Sequence, residues 1–174
     1  MDQKPHNTAV DNFRPDGAAA HAGIKQAEPV RVRTAEPADL GAVAELDQRI
    51  TGVAKPAYWQ DMIRRYGDGP VDRYFLIAET VDGALLGFVI GEIRAWEFGS
   101  PPSGWVFAIN VDPQSRLGGI GTRLFEEVCA RFRDAGVRSV RTMVDRRDHL
   151  ILSFFRSQGM MAGPSLELEL EMPA

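Results

Sequence analysis

Three glycines in four positions, Gly118, Gly119 and Gly121, stand at the mouth of a helix-patterned stretch in "VDPQSRLGGIGTRLFEEV", residues 111 to 128. Each glycine costs roughly 1 kcal/mol of helix propensity relative to alanine, so the bare backbone must serve a purpose there. A strand that feeds a glycine-rich turn and then a helix leaves several N–H groups unpaired at the positive end of the helix dipole. Such donors bind phosphate, and the missing side chains let a ligand approach the main chain. The competing reading is a tight strand-to-helix turn, which rarely needs glycine at this density.

What is missing narrows the phosphate ligand. A dinucleotide fingerprint requires a glycine three residues after Gly121, where Leu124 stands, so that reading fails. A P-loop requires lysine followed by serine or threonine, and Thr122-Arg123 supplies neither in order, which argues against a nucleoside triphosphatase.

The elements that position this loop follow from periodicity. "VRVRTA" (30–35) alternates as a strand, and Pro37 and Asp39 open a helix running through Leu40, Val43, Ala44 and Leu46 to about Ile50. "AYWQDMIRRY" (57–66) is a second short helix. "RYFLIAETV" (73–81) and "LLGFVIGEIRAWEF" (85–98) form a hairpin across Val81-Asp82-Gly83-Ala84. A strand at 105–111 leads into the glycines and a helix from about Arg116 to Ala135, with Leu117, Ile120, Leu124, Val128 and Phe132 on one stripe. Further segments are a strand at 139–144, a helix at 149–158 and a strictly alternating strand "SLELELEM" at 165–172. This order predicts an α+β fold with mixed strand pairing.

At 174 residues and 44% hydrophobic content, the chain suits one domain over 29–174, able to bury a core without disulfides or metals. Residues 1–28 lack a sustained period and read as a disordered tail. A net charge of −4 gives no general attraction to nucleic acid or an anionic membrane surface. The single cysteine, Cys129, excludes an intrachain disulfide and a multi-cysteine zinc site, and the expected location is cytoplasmic.

The remaining pattern in the loop is Arg or Gln, two residues, Gly, one residue, then Gly or Ala. Arg116-Leu117-Gly118-Gly119-Ile120-Gly121 meets it, after Val111-Asp112-Pro113. On these residues the sequence resembles the GNAT superfamily of N-acetyltransferases, and the element order extends the likeness over about residues 30 to 172. The resemblance implies a GNAT-like mixed, mostly antiparallel central sheet, splayed between the strands at 105–111 and 139–144 and flanked by helices. It also implies acetyl-CoA as cosubstrate, with no metal. The pyrophosphate is expected on the amides of Leu117, Gly118, Gly119, Ile120, Gly121 and Thr122, with the Arg116 side chain nearby. Pantetheine is expected to bond to the main chain of Ile109 and Val111 in the manner of an added strand.

Catalytic side chains are harder to assign. In many members of the superfamily a tyrosine before the "xxxGF" ending of the penultimate helix protonates the leaving thiolate, and "FFRSQGM" puts Phe155 at that place. A glutamate base at the start of the strand before the loop is replaced by Trp105. Glu92, in phase with Phe88 and Ile90 on an apolar strand, is the remaining base candidate. An Arg-paired, solvated Glu92 is the competing reading. Asn110 is positioned to hold the acceptor amine or to serve as a satisfied strand-end residue. Cys129 reads as a packing thiol and His149 as a solvated helix start, while "TGVAKPAYW" (51–59) is expected to shape the acceptor pocket.

The expected activity is therefore transfer of an acetyl group from acetyl-CoA to a primary amine by direct attack in a ternary complex. The acceptor is a peptide, a lysine or a small metabolite. A non-catalytic acyl-CoA-binding or sensor domain is the alternative. Pairing of the alternating C-terminal segment with another copy would make a homodimer, which its row of glutamates opposes.

Overall fold

The computed structural model describes residues 29–67, 71–115 and 118–172. The expected tail at 1–28, and Arg116 and Leu117 of the glycine loop, lie outside the described residues. Five strands form one sheet in chain order: β1 (Arg31–Thr34), β2 (Arg73–Glu79), β3 (Leu85–Arg94), β4 (Ser103–Val111) and β5 (Val140–Arg141). The first three pairings are antiparallel and β4 with β5 is parallel. Only the parallel pair needs a crossover, and α3 (Ile120–Asp134) supplies it.

Alternation along β2 and β3 sends side chains to both faces, and both faces are covered, so these strands read as nearly continuous apolar runs. Phe75, Ile77, Phe88 and Ile90 pack under α1 (Leu40–Thr51) and α2 (Pro56–Tyr66) with Val43, Leu46 and Trp59. On the opposite face Leu76, Val89 and Val106 meet Leu124, Val128 and Phe132 of α3, joined by Phe155 of α4 (His149–Ser157).

Polar groups fix the helices to this sheet. Arg33 donates to both oxygens of Asp39 at 2.7 and 2.8 Å and pairs with Glu79 at 2.9 Å, tying β1 to the entrance of α1 and to β2. Asp47, 2% exposed, accepts from the Trp59 indole at 2.9 Å and pairs with Lys55 at 2.9 Å, which locks α2 against α1.

Four sequence expectations need correction. The strand expected to reach Phe98 ends at Arg94, because Trp96 (φ 62°) and Phe98 (φ 47°) take left-handed backbone that no strand continues. The third helix begins at Ile120 rather than Arg116, since Gly119 precedes it at φ 70°. The strand expected over 139–144 shortens to Val140–Arg141, and a turn follows in which the Arg147 N–H donates to Asp145 at 2.8 Å. Finally, residues 165–172 form no strand. Their alternation selects a face, but a strand also needs an edge to share ladder bonds with. Leu166, Leu168, Leu170 and Met172 remain 74 to 86% exposed.

One close approach fixes where α3 crosses the sheet. The Phe132 ring lies over Gly104 and Gly91, so that a Cβ at Gly104 would collide with Phe132 Cδ2. Gly104→Ala is expected to destabilise the fold by roughly 1 to 3 kcal/mol through overpacking, read as a lowered urea midpoint with an unchanged m value.

Candidate active site

Between β4 and β5 the sheet opens. The parallel ladder holds only Gly104↔Val140 and Trp105↔Arg141, whereas β4 stays paired with β3 as far as Val111. From Val106 onward the second edge of β4 faces a cleft of about 560 Å³. Its register against β3 also slips: Ile90 faces Ala108 but Gly91 faces Val106, leaving Phe107 as an extra residue in a β-bulge. The bulge turns Phe107 towards α2, where its ring meets the edge of Tyr66 at 5.5 Å between centroids. Bulges bend and twist a strand, and this one sits where β4 leaves β5.

The cleft runs through the sheet. On the α3 side its lining includes Ile109, Val111, Gly119, Gly121 and Thr122, with Ile151, Phe154 and Phe155 of α4 as the far wall. On the α1 side it includes Ile50, Phe107, Ala108 and Asn110, with Met143 opposite. Asn110 stands across from Phe88, which places it on the α1 and α2 face.

The loop between β4 and α3 is built by Asp112. Its Oδ1 accepts the Gln114 N–H at 2.9 Å and its carbonyl the Ser115 N–H at 2.8 Å, while Oδ2 pairs with Arg49 of α1 at 2.6 Å. Gly118 then donates to the Ser115 carbonyl at 3.1 Å. Gly119, at the N-cap of α3, offers no side-chain cap. Helix geometry gives the first-turn N–H groups of Ile120, Gly121 and Thr122 no intrahelical acceptor. Among the described residues nothing stands within 4 Å of a Cβ built on Gly119, so on their side the approach to this helix end is open. A Cβ on Gly121 would lie 3.1 Å from the Phe154 ring, at the junction of α3, α4 and β4.

Of the expected site residues, the structure brings Ile109, Asn110, Val111, Gly119, Gly121 and Thr122 into one cleft, with Gly118 and Ile120 adjoining in the loop. Arg116 and Leu117 lie outside the described residues. Glu92 does not line the cleft. It accepts from the Tyr66 hydroxyl at 2.6 Å and from Arg94 at 2.8 Å. Burial alone would raise its pKa, but these two hydrogen bonds outweigh burial and hold the carboxyl below its ordinary value. Burial and the same bond raise the Tyr66 hydroxyl, so it stays a donor at neutral pH.

Phe155, 5% exposed, belongs to both core and cleft: its ring packs on Phe125 and Phe154 and closes the cleft wall. Trp105 lies opposite Glu92, with the Arg94 guanidinium 4.7 Å from its ring centre. Cys129 is partly buried in α3, and burial pushes its thiol up to about 11, far from a neutral-pH nucleophile.

Sequence reasoning missed the Phe107 bulge, the Arg49–Asp112 pair, the Tyr66–Glu92 bond and the cleft positions of Ile50, Met143, Asp148 and Leu150. Asp112 ahead of Pro113 was a legible turn signal. The others join distant segments and leave no local mark. Among the described residues no group of three His, Cys, Asp or Glu side chains could hold a metal, and no helix is long and apolar enough to cross a membrane.

Residues 40–160 match the profile of the Acetyltransferase (GNAT) family, and the chain belongs to that family. Its fold is shared by the aminoglycoside N-acetyltransferase AAC(6')-Iy in complex with CoA, at TM-score 0.73 and 16% identity, covering 85% of this chain and 98% of that one. The aminoglycoside 6'-N-acetyltransferase AAC(6')-Ih from Acinetobacter baumannii matches at 0.71 and 15%, covering 83% and 100%. A Trypanosoma brucei acetyltransferase matches at 0.64 and 22%, again covering 83% and 100%. A search of the curated proteins finds no match.

The two roles of the Asp112 side chain separate by substitution. Asp112→Asn keeps an acceptor for the Gln114 amide and loses the ion pair, whereas Asp112→Ala loses both. Hydrogen exchange at Gln114 is expected to accelerate in the alanine variant by the equivalent of about 0.5 to 1.5 kcal/mol and to stay near the parent rate in the asparagine variant.

Proposed function

We propose that the protein transfers an acetyl group from acetyl-CoA to a primary amine, with both substrates bound at once in the cleft between β4 and β5. The carrying observation is the continuity of the free β4 edge with the uncapped N-terminus of α3. Exposed strand edges and helix N-termini both carry unsatisfied backbone donors, and CoA offers acceptors for each in its pantetheine amides and its pyrophosphate. The residues present fit it. Ile109 and Val111 would bond the pantetheine. Gly118, Gly119, Ile120, Gly121 and Thr122 would hold the pyrophosphate, with Arg116 and Leu117 completing that loop in the sequence.

When bound, acetyl-CoA supplies the activated acyl thioester. Phe154, Phe155 and Ile151 exclude water from that side of the cleft. Asn110 orients the acceptor nitrogen on the other side through its amide oxygen. Phe155 cannot donate a proton, so departure of the thiol proceeds without a side-chain acid at that position. Glu92, held ionised outside the cleft, is a poor general base. It acts at one remove, fixing Tyr66 and through it the Phe107 wall. The acceptor must then arrive as free base or lose its proton to water.

Phe155 at the cleft wall, with no proton to give, favours one other reading, a non-catalytic acyl-CoA sensor on the same fold. Thiol release that depends on an added amine supports the transferase, and saturable CoA binding without release across a broad amine panel supports the sensor. Gly121→Val, which drives a side chain against Phe154, is expected to weaken CoA by about tenfold or more, and unchanged affinity in a calorimetric titration would remove the glycine loop from the site.

Phe155→Tyr places a hydroxyl at the cleft wall. General acid help is typically worth about 10²- to 10⁴-fold, so an amine-dependent turnover above the parent's is expected, with CoA affinity unchanged. A lowered melting temperature with no kinetic gain would place the ring edge wholly in the core. Glu92→Gln is expected to leave the shape of the pH–rate profile intact while raising the acceptor KM. Loss of its acidic limb would instead make Glu92 the base.

A further inference from the structure

The acceptor end of the cleft is apolar and poor in charge. Phe107, Met143 and Leu150 are 38, 59 and 60% exposed, and all three line this one concavity together with Ile50. Single exposed apolar residues are ordinary, but several gathered in one pocket mark a binding surface.

The charge inventory points the same way. Asp148 is the one charged side chain among the described residues that line the cleft. Its Oδ1 accepts the Ile151 N–H at 3.0 Å as the cap of α4, so the described lining offers one carboxylate and not several. The neighbouring carboxylates are committed to partners of their own: Asp112 to Arg49, Glu92 to Tyr66 and Arg94, Asp47 to Lys55 and Trp59. A polycationic acceptor must trade the hydration of each ammonium group for a carboxylate, and the described lining residues offer no cluster. An acceptor with a single amine needs one polar contact for its nitrogen, which Asn110 provides, and an apolar wall for the rest.

We propose that the acceptor is a small primary amine on one aromatic or branched aliphatic body, carrying no second charge, seated against Phe107, Met143 and Leu150. This rests on the acetyltransferase reading and adds the substrate class to it. It also sets the chain apart from the aminoglycoside enzymes that share its fold, whose acceptors are polycations. The transfer balances simply: the new N–C bond forms as the C–S bond of the thioester breaks, the amine gives up one proton to solvent, and CoA departs as thiol or thiolate.

The test uses the full chain with phenethylamine, isopentylamine and the polycation sisomicin, read in two ways. Thiol release from acetyl-CoA gives kcat/KM, and calorimetry on CoA-saturated protein gives amine binding without chemistry. The expected result is a kcat/KM for the two apolar amines at least about tenfold above that for sisomicin. Met143→Glu and Leu150→Asp, both at exposed positions, are each expected to raise the phenethylamine KM by about tenfold while the acetyl-CoA KM and the melting temperature stay at parent values. Equal or better use of sisomicin, or no change in either variant, overturns the proposal and leaves the transferase reading standing. Binding of phenethylamine without thiol release supports the acceptor site and overturns the transferase reading. Absence of both binding and release with the apolar amines overturns the acceptor site.

Discussion

β4 is held along its whole length by β3 but by β5 only at its first residues, and everything at the site depends on that inequality. A buried backbone donor or acceptor without a partner costs about as much as a lost hydrogen bond, so a free strand edge inside a domain must be met by solvent or by a ligand. Two features keep the edge free. Gly91 and Gly104 let the Phe132 ring lie directly on the sheet where β5 is still attached, which anchors α3 there. One step further on, the extra residue at Phe107 bends β4 away.

Because β5 is only two residues long, it cannot position the far wall of the cleft by itself. That task falls to α3. Phe125 packs against both Phe154 and Phe155, and the Gln158 amide donates to Thr122 at 3.2 Å. The helix carrying the open N-terminus therefore also carries the wall opposite β4. A sideways shift of α3 would move both surfaces together, keeping the spacing between loop and wall.

The elements visible in the sequence were those whose burial pattern is set within a few residues of chain. The β2–β3 hairpin announced itself through two apolar runs joined at Asp82-Gly83, and α3 through its apolar stripe. What failed was set by distant partners. Alternation at 165–172 had no edge to join, and β5 ended where β4 turned away. At the site, the amide loop was legible because a glycine cluster is a local signal with a backbone cause. Glu92 was singled out for standing in an apolar strand, but its partner Tyr66 lies 26 positions away, and Arg49 and Asp112 are separated by 63. No periodicity encodes such pairs.

Three departures from ordinary folding economy meet in this one cleft. A strand edge is left unpaired, a fifteen-residue helix begins without a side-chain cap, and large apolar side chains face outward around Phe107 and Met143. Each alone has an innocent structural account, since edges, uncapped helices and exposed apolar residues all occur in stable domains. With glycine at the N-cap, the missing side-chain cap costs only about a few tenths of a kcal/mol, which the core absorbs. Their convergence is what carries functional meaning, because independent defects have no reason to share one cavity. The three also differ in what they ask of a ligand: an edge asks for amides, a helix N-terminus for an anion, and an apolar rim for a greasy body. On the proposed function, a coenzyme with amide and pyrophosphate groups would answer the first two, and the third would be left for the acceptor.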